Sequence, residues 1–150
     1  MIPRLFNKSL FVAGMVGAAL TAFLVPAASP AADPPLQKAV ARGADAFAHE
    51  KFGGKGRVCE SCHLGGGLLP GRRPDGVAIP SLANAAAVFP RISGDDGHSV
   101  MTLSDQVRAC VAGAIGGTPP AYASDELNSL VAYVTSLSQG KPIEMGGSPR

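Results

Sequence analysis

Five consecutive residues constrain this chain more than any others: Cys59-Glu60-Ser61-Cys62-His63. The C-x-x-C-H form is that of a c-type haem attachment site. Two thiols three positions apart can add to the two vinyl groups of one porphyrin, and the adjoining imidazole is then held under the iron as its proximal ligand. The Glu60-Ser61 bridge is short enough to pin the porphyrin edge while His63 turns inward. A redox C-x-x-C shares the spacing. The immediate histidine, the missing βαβ pattern and an export-type N-terminus argue against that alternative. Cys59 and Cys62 are therefore expected to carry covalent haem c, with His63 on its iron.

The N-terminus reads as a leader rather than as part of the fold. Arg4 and Lys8 form a basic region, Leu10 to Val25 is an uncharged apolar run, and Ser29-Pro30-Ala31 fits a small-residue cleavage site. The run falls short of the roughly 20 residues that span a bilayer comfortably. Export and cleavage after Ala31 are the expectation, with an uncleaved anchor as the alternative and no stable membrane span after cleavage. The expected location is the periplasm, which suits haem attachment because that machinery works outside the cytoplasm.

Cleavage would leave 119 residues, enough for one small domain and too few for two. Without Arg4 and Lys8, eleven basic residues face eleven acidic ones. A near-neutral domain with no basic cluster gives no footprint for nucleic acid. With 19 glycines and no tryptophan, the domain would be marginal alone, and a haem would supply much of its apolar core. Of three cysteines, the haem motif uses two and leaves Cys110 without a disulfide partner. It is a buried inert cysteine, an iron ligand or a reactive thiol. Composition alone does not choose.

Three helical patterns frame the domain. The first runs from about Leu36 to Phe52, with Leu36, Val40, Ala44, Phe47 and Ala48 on one face. Gly43 inside it costs roughly 1 kcal/mol against alanine, which a close helix crossing would explain. This resembles the first helix of class I cytochromes c, where a glycine and an aromatic meet the last helix. The last helix is expected over Asp125 to Ser138, capped by Ser124 or Asp125 and stopped by Gly140 and Pro142, with Tyr133 as the partner of Phe47. Between them, Leu103 to Ala114 reads as a third helix with Thr102 and Asp105 as a capping box. Leu103, Val107, Cys110 and Ala114 share its inward stripe. Residues 65–96 carry no sustained period and read as a loop around the porphyrin, with Leu68, Leu69, Val77, Ile79, Leu82, Val88 and Phe89 needing burial. The expected organisation is a cleaved leader over 1–31, a monohaem domain over 32–143 and a flexible tail over 144–150.

The distal iron ligand separates the functions. Methionine is common in electron carriers and raises the potential. Met101 and Met145 are the only methionines beyond the leader, and neither sits in a Pro-rich ligand loop. His98 lies in a Gly/Asp-rich turn, and His49 near the end of the first helix is more often exposed. The helix stripe ranks Cys110 first, Met101 second and His98 third.

From Cys59 to about Ile143 the chain is similar to the haem domain of the A subunit of the bacterial Sox thiosulfate-oxidising system, and equally to the first haem domain of the thiosulfate dehydrogenases. The matching pieces are Cys59 to Gly67, Val88-Phe89-Pro90, Gly97 through Thr102-Leu103, Val107 with Cys110, Tyr122 through Leu127, and Tyr133 through Leu137, Gly140, Pro142 and Ile143. The resemblance implies a small all-α cytochrome c-like domain wrapped around one covalent haem. It also implies that Cys110 is the distal ligand and the site of sulfur chemistry. An arginine usually stands four residues before that cysteine, where this chain has Gln106. Arg108, Arg72, Arg73 and Arg91 could counter the charge of thiosulfate or of the propionates, although such residues are more often solvated surface charges. Two classes stay open: a sulfur-oxidising enzyme or subunit in which Cys110 handles thiosulfate, and a plain His/Met carrier without sulfur chemistry. Either needs a redox partner protein, a cytochrome or dehydrogenase acting as donor or acceptor.

Overall fold

Gly43 decides how the domain is assembled. A Cβ there would lie 1.9 Å from the Ser129 carbonyl oxygen, so only glycine lets the first and last helices cross this closely. The structure, a computed structural model, describes residues 33–94 and 96–150. The expected leader over 1–31 lies outside them.

Helix α1 spans Pro34–His49, α2 spans Leu103–Cys110 and α3 spans Asp125–Leu137. At the α1–α3 crossing, Phe47 meets Tyr133 edge to face with ring centroids 5.3 Å apart. Phe47 joins Phe52, Val111, Ile115 and Leu130 in the main core cluster. Leu36, expected on the buried face of α1, is exposed, because that face packs only from its second turn onward. The helix also ends three residues earlier than expected. Glu50 is extended and its carboxylate accepts from the Phe52 amide at 2.9 Å. Phe52 then adopts a left-handed conformation (φ 52°), turning its ring into the core.

The capping residues behave as their chemistry dictates. Ser124 accepts from the Leu127 amide at 3.2 Å, and Leu127, Leu130 and Val134 form the buried stripe of α3. Thr102 accepts from the Asp105 amide at 3.2 Å while the Asp105 carboxylate accepts from the Thr102 amide at 2.9 Å, a reciprocal box. The third helix does not continue as α-helix to Ala114. Val111–Ile115 is a π-helical turn, ended by Gly116.

Two short antiparallel hairpins interrupt the expected loop. Strands β1 (Gly71–Arg72) and β2 (Ala78–Ile79) pair, as do β3 (Arg91–Ile92) and β4 (Val100–Met101). Val88 is fully buried, but Leu68, Leu69 and Val77 are exposed, against expectation. That segment satisfies its backbone locally, with Leu69 N donating to Leu64 O at 3.0 Å and Arg73 N to Val77 O at 2.8 Å. It holds its shape without burying those side chains. The tail over 144–150, expected to be flexible, makes hydrogen bonds to residues 84–90. Glu144 N donates to Ala87 O at 2.8 Å, Gly146 N to Val88 O at 3.1 Å, and Arg150 N to Asn84 Oδ1 at 2.9 Å. No helix among the described residues is long and apolar enough to cross a membrane.

Candidate haem site

The C-x-x-C-H loop is shaped by its own bridge residues. Cys59–Ser61 forms a single 3₁₀ turn, closed by bonds from Cys62 N and His63 N to Cys59 O at 3.2 and 3.1 Å. Ser61 Oγ reaches back to accept from Val58 N at 3.0 Å. Glu60 reaches forward, and its carboxylate accepts from Gly66 N at 2.8 Å. Tyr133 on α3 donates its hydroxyl to Gly66 O at 2.7 Å, so both backbone polar groups of Gly66 are held. Burial, with Glu60 nearby, raises the Tyr133 phenol above its usual range and keeps it a donor. The chain then doubles back so closely that a Cβ at Gly71 would lie 1.8 Å from Cys62 O.

Above this loop lies a cavity of about 640 Å³, within the ~300–1,000 Å³ of cofactor sites. Cys59, Cys62 and His63 line it from the loop, and Phe47, Leu130 and Val134 from the helix crossing. Leu103, Gln106, Val107, Cys110 and Ala114 line it from α2 and the turn after it. The inward stripe thus faces the cavity as its spacing predicts. All three thiols are free. Burial, then the nearby Cys110, pushes the Cys59 thiol up to about 12. Burial lowers His63, favouring the neutral imidazole that metals bind.

The cavity is mostly apolar but contains unmet polar groups. His63 Nδ1, Arg57 Nε and Arg91 Nε are buried without a hydrogen-bond partner. Native interiors leave few such atoms, so the two guanidinium N–H donors point to a bound group with anionic substituents, and the imidazole to a polar partner within it. A c-type haem fits: two thiols and an imidazole at one wall, an apolar slot, and cations for propionates. A second concavity, about 660 Å³ between α1 and α3, is an open charged groove lined by Lys38, Arg42, Asp45 and Glu126.

The other sequence candidates fall elsewhere. Met101 sits in β4, pairing with Arg91, and does not line the cavity. Met145 and His98 are exposed, and exposed His49 bonds its neighbour Asp45. Arg108 is occupied on the outer face of α2, stacked 4.1 Å from the Tyr122 ring centroid and bonded to Pro120 O. Arg72 bonds Gly76 O at 2.6 Å outside the cavity. Arg73 and Arg91 do line it. So does Arg57, which sequence reasoning missed; its place just before Val58-Cys59 was the available signal.

Comparison with known proteins agrees with this geometry. The model of the SoxA/TsdA cytochrome c domain matches residues 42–143. Thiosulfate dehydrogenase of Psychrobacter arcticus is 32% identical over 91 residues, and that of Stutzerimonas stutzeri 30% over 92 residues, each alignment covering 61% of this chain. The aligned part is only 25% and 27% of those proteins. Thiosulfate dehydrogenase TsdBA from Marichromatium purpuratum shares the fold with a TM-score of 0.59 at 23% identity, over 79% of this chain and 28% of that one. SoxXA from P. pantotrophus gives 0.58 at 28% identity, over 75% of this chain and 37% of that one.

Proposed function

Because the chain belongs to the SoxA/TsdA cytochrome c domain family, whose domains bind covalent haem c, we propose that it is a periplasmic monohaem cytochrome transferring electrons in the oxidation of inorganic sulfur compounds, with thiosulfate as substrate class. The observation that carries this reading is the position of Cys110. It lines the same cavity as Cys59, Cys62 and His63, whereas Met101, Met145 and His98 do not. A cysteine in the cavity lining, with no methionine there among the described residues, favours sulfur chemistry over a His/Met carrier.

The chain's own residues then have distinct tasks. Cys59 and Cys62 would hold the haem covalently, each thiol adding its S–H across a vinyl group with no net oxidation. His63, kept neutral by burial, would hold the iron through its imidazole. Arg57 and Arg91 offer their unpaired Nε–H groups to carboxylate or sulfonate oxygens, and Arg73, paired with Asp75, adds charge at the rim. The Cys110 sulfur, which lines the same cavity, would serve as the distal ligand and would be placed to meet the substrate's outer sulfur. When bound, the haem supplies a one-electron acceptor. Joining two thiosulfates through a new S–S bond releases two electrons, so a redox partner protein must take them onward. The leader over 1–31 would deliver the chain to the periplasm, where such partners and the haem machinery act.

Ferric-state EPR and optical spectra of the wild type and Cys110→Ala test the reading. The wild type should show a low-spin thiolate signal that the variant lacks, and the potential should rise in the variant because an anionic donor to ferric iron is gone. Unchanged spectra in Cys110→Ala would remove Cys110 from the iron. Thiosulfate should reduce the wild-type haem faster than the variant's.

A further inference from the structure

The residue that departs from the family pattern is bonded at both ends. Gln106 Nε2 donates to Cys110 Sγ at 3.4 Å, across one turn of α2. Its Oε1 accepts from Arg91 Nη2 at 2.6 Å. Both side chains are half-buried and line the cavity. Arg91 is fixed in turn: its backbone pairs with Met101 in the β3–β4 hairpin, and its guanidinium lies 5.1 Å from the Phe89 ring centroid. A cation therefore stands behind Cys110 after all, one amide further back. An arginine at position 106 could not occupy this arrangement, since it has no acceptor for Arg91 and would set guanidinium against guanidinium.

We propose that Gln106 is a positioning residue that transmits the pull of the Arg91 cation to the Cys110 sulfur through these two hydrogen bonds. The inference rests on the reading of Cys110 as distal ligand and adds what tunes its donor strength. Bonds in series polarise one another, so the Arg91 contact makes the Gln106 N–H a stronger donor. That N–H draws off part of a thiolate's negative charge and weakens its donation to ferric iron, as groups behind a metal ligand generally do. The contact atom is neutral, so the sulfur is not locked into an ion pair.

Spectroelectrochemistry and ferric EPR of the full haem-loaded chain test this independently of turnover. Gln106→Leu removes both bonds; Gln106→Glu keeps the acceptor for Arg91 but removes the donor to sulfur, and carries the test if the leucine variant does not load haem. Both should keep the low-spin thiolate signal with shifted g values. Both should raise the ferric-to-ferrous ratio at fixed potential about tenfold, equivalent to a fall of about 59 mV for a one-electron couple. Arg91→Leu should shift it in the same direction, and adding Gln106→Leu should produce less than the sum of the two. Wild-type g values and potential in Gln106→Glu would overturn the proposal. So would additive effects in the double variant, which would mean that Arg91 acts on the haem directly. If Cys110→Ala alters the spectrum and the Gln106 variants do not, only the relay fails; if Cys110→Ala alters nothing, the ligand reading fails and the relay with it.

Discussion

The two walls of the cavity are built differently. The wall carrying Cys59, Cys62 and His63 is backed by the α1–α3 crossing, and its loop is tied by Ser61, Glu60 and Tyr133. The wall carrying Cys110 is α2, which has no fully buried residue, followed by a turn that anchors through Val111 and Ile115. Attachment chemistry needs two sulfurs and a nitrogen held in fixed relation, which a rigid backing supplies. On the proposed reading, Cys110 would have to meet substrate, and its half-burial would leave it the access to do so. On that reading the first wall would be a mount and the second a working face.

The largest expected effect comes from breaking the mount itself. Replacing Cys59 and Cys62 together with alanine should lose haem from the polypeptide after acid-acetone extraction, while Cys110→Ala should retain it. Haem that extracts freely from the wild type would erase the difference between the two walls. Next is the backing. Gly43→Ala drives a methyl into the Ser129 carbonyl and the Tyr133 side chain, contacts that α1 can relieve only by moving away from α3. Overpacking of this kind costs about 1–3 kcal/mol, and the shift should lower Tm by about 4 °C per kcal/mol in a domain of this size. Calorimetry of the haem-loaded protein reads it, and an unchanged Tm would show that the crossing is not what supports the loop.

The mount was more legible in sequence than the working face. Cys59 to His63, Gly43 with Phe47, and the caps at Thr102 and Ser124 are local patterns, and local patterns survive in a linear string. Cys110 was legible as a member of a helical stripe, because α2 keeps its period up to that residue. What surrounds Cys110 was not. The Arg91–Gln106 contact joins residues 15 apart through a hairpin whose strands are only two residues long, with no alternating pattern to announce it. Arg57 is one exposed-looking cation among many until folding buries its Nε. Leu68, Leu69 and Val77 misled in the opposite direction, since apolar character carries no information about a loop that closes on its own backbone. The tail's hydrogen-bond partners, Ala87 and Val88, lie more than fifty residues away, where no local pattern announces them.

The smallest effect should appear at the free end of the working face. The Asp105 carboxylate accepts from Thr102 Oγ1 and Tyr122 Oη, both at 2.6 Å, and from the Thr102 amide. These bonds, the Thr102 hydroxyl foremost, hold its carboxyl down at about 2 against an ordinary 3.8. The folded form therefore binds this proton less readily than the unfolded chain. The contribution is complete above about pH 5 and is lost as the pH falls through 4 towards 2. Asp96, held at about 2 by Ser99 and His98, titrates in the same window, so acid alone cannot separate them. Asp105→Asn can. The variant should lose most of the cap at neutral pH and show a shallower acid dependence than the wild type. Because α2 is the lightly buried wall, the loss should be local: faster amide exchange over 103–107 with little change in global Tm. A global Tm drop matching that of Gly43→Ala would mean that the two walls unfold as one unit.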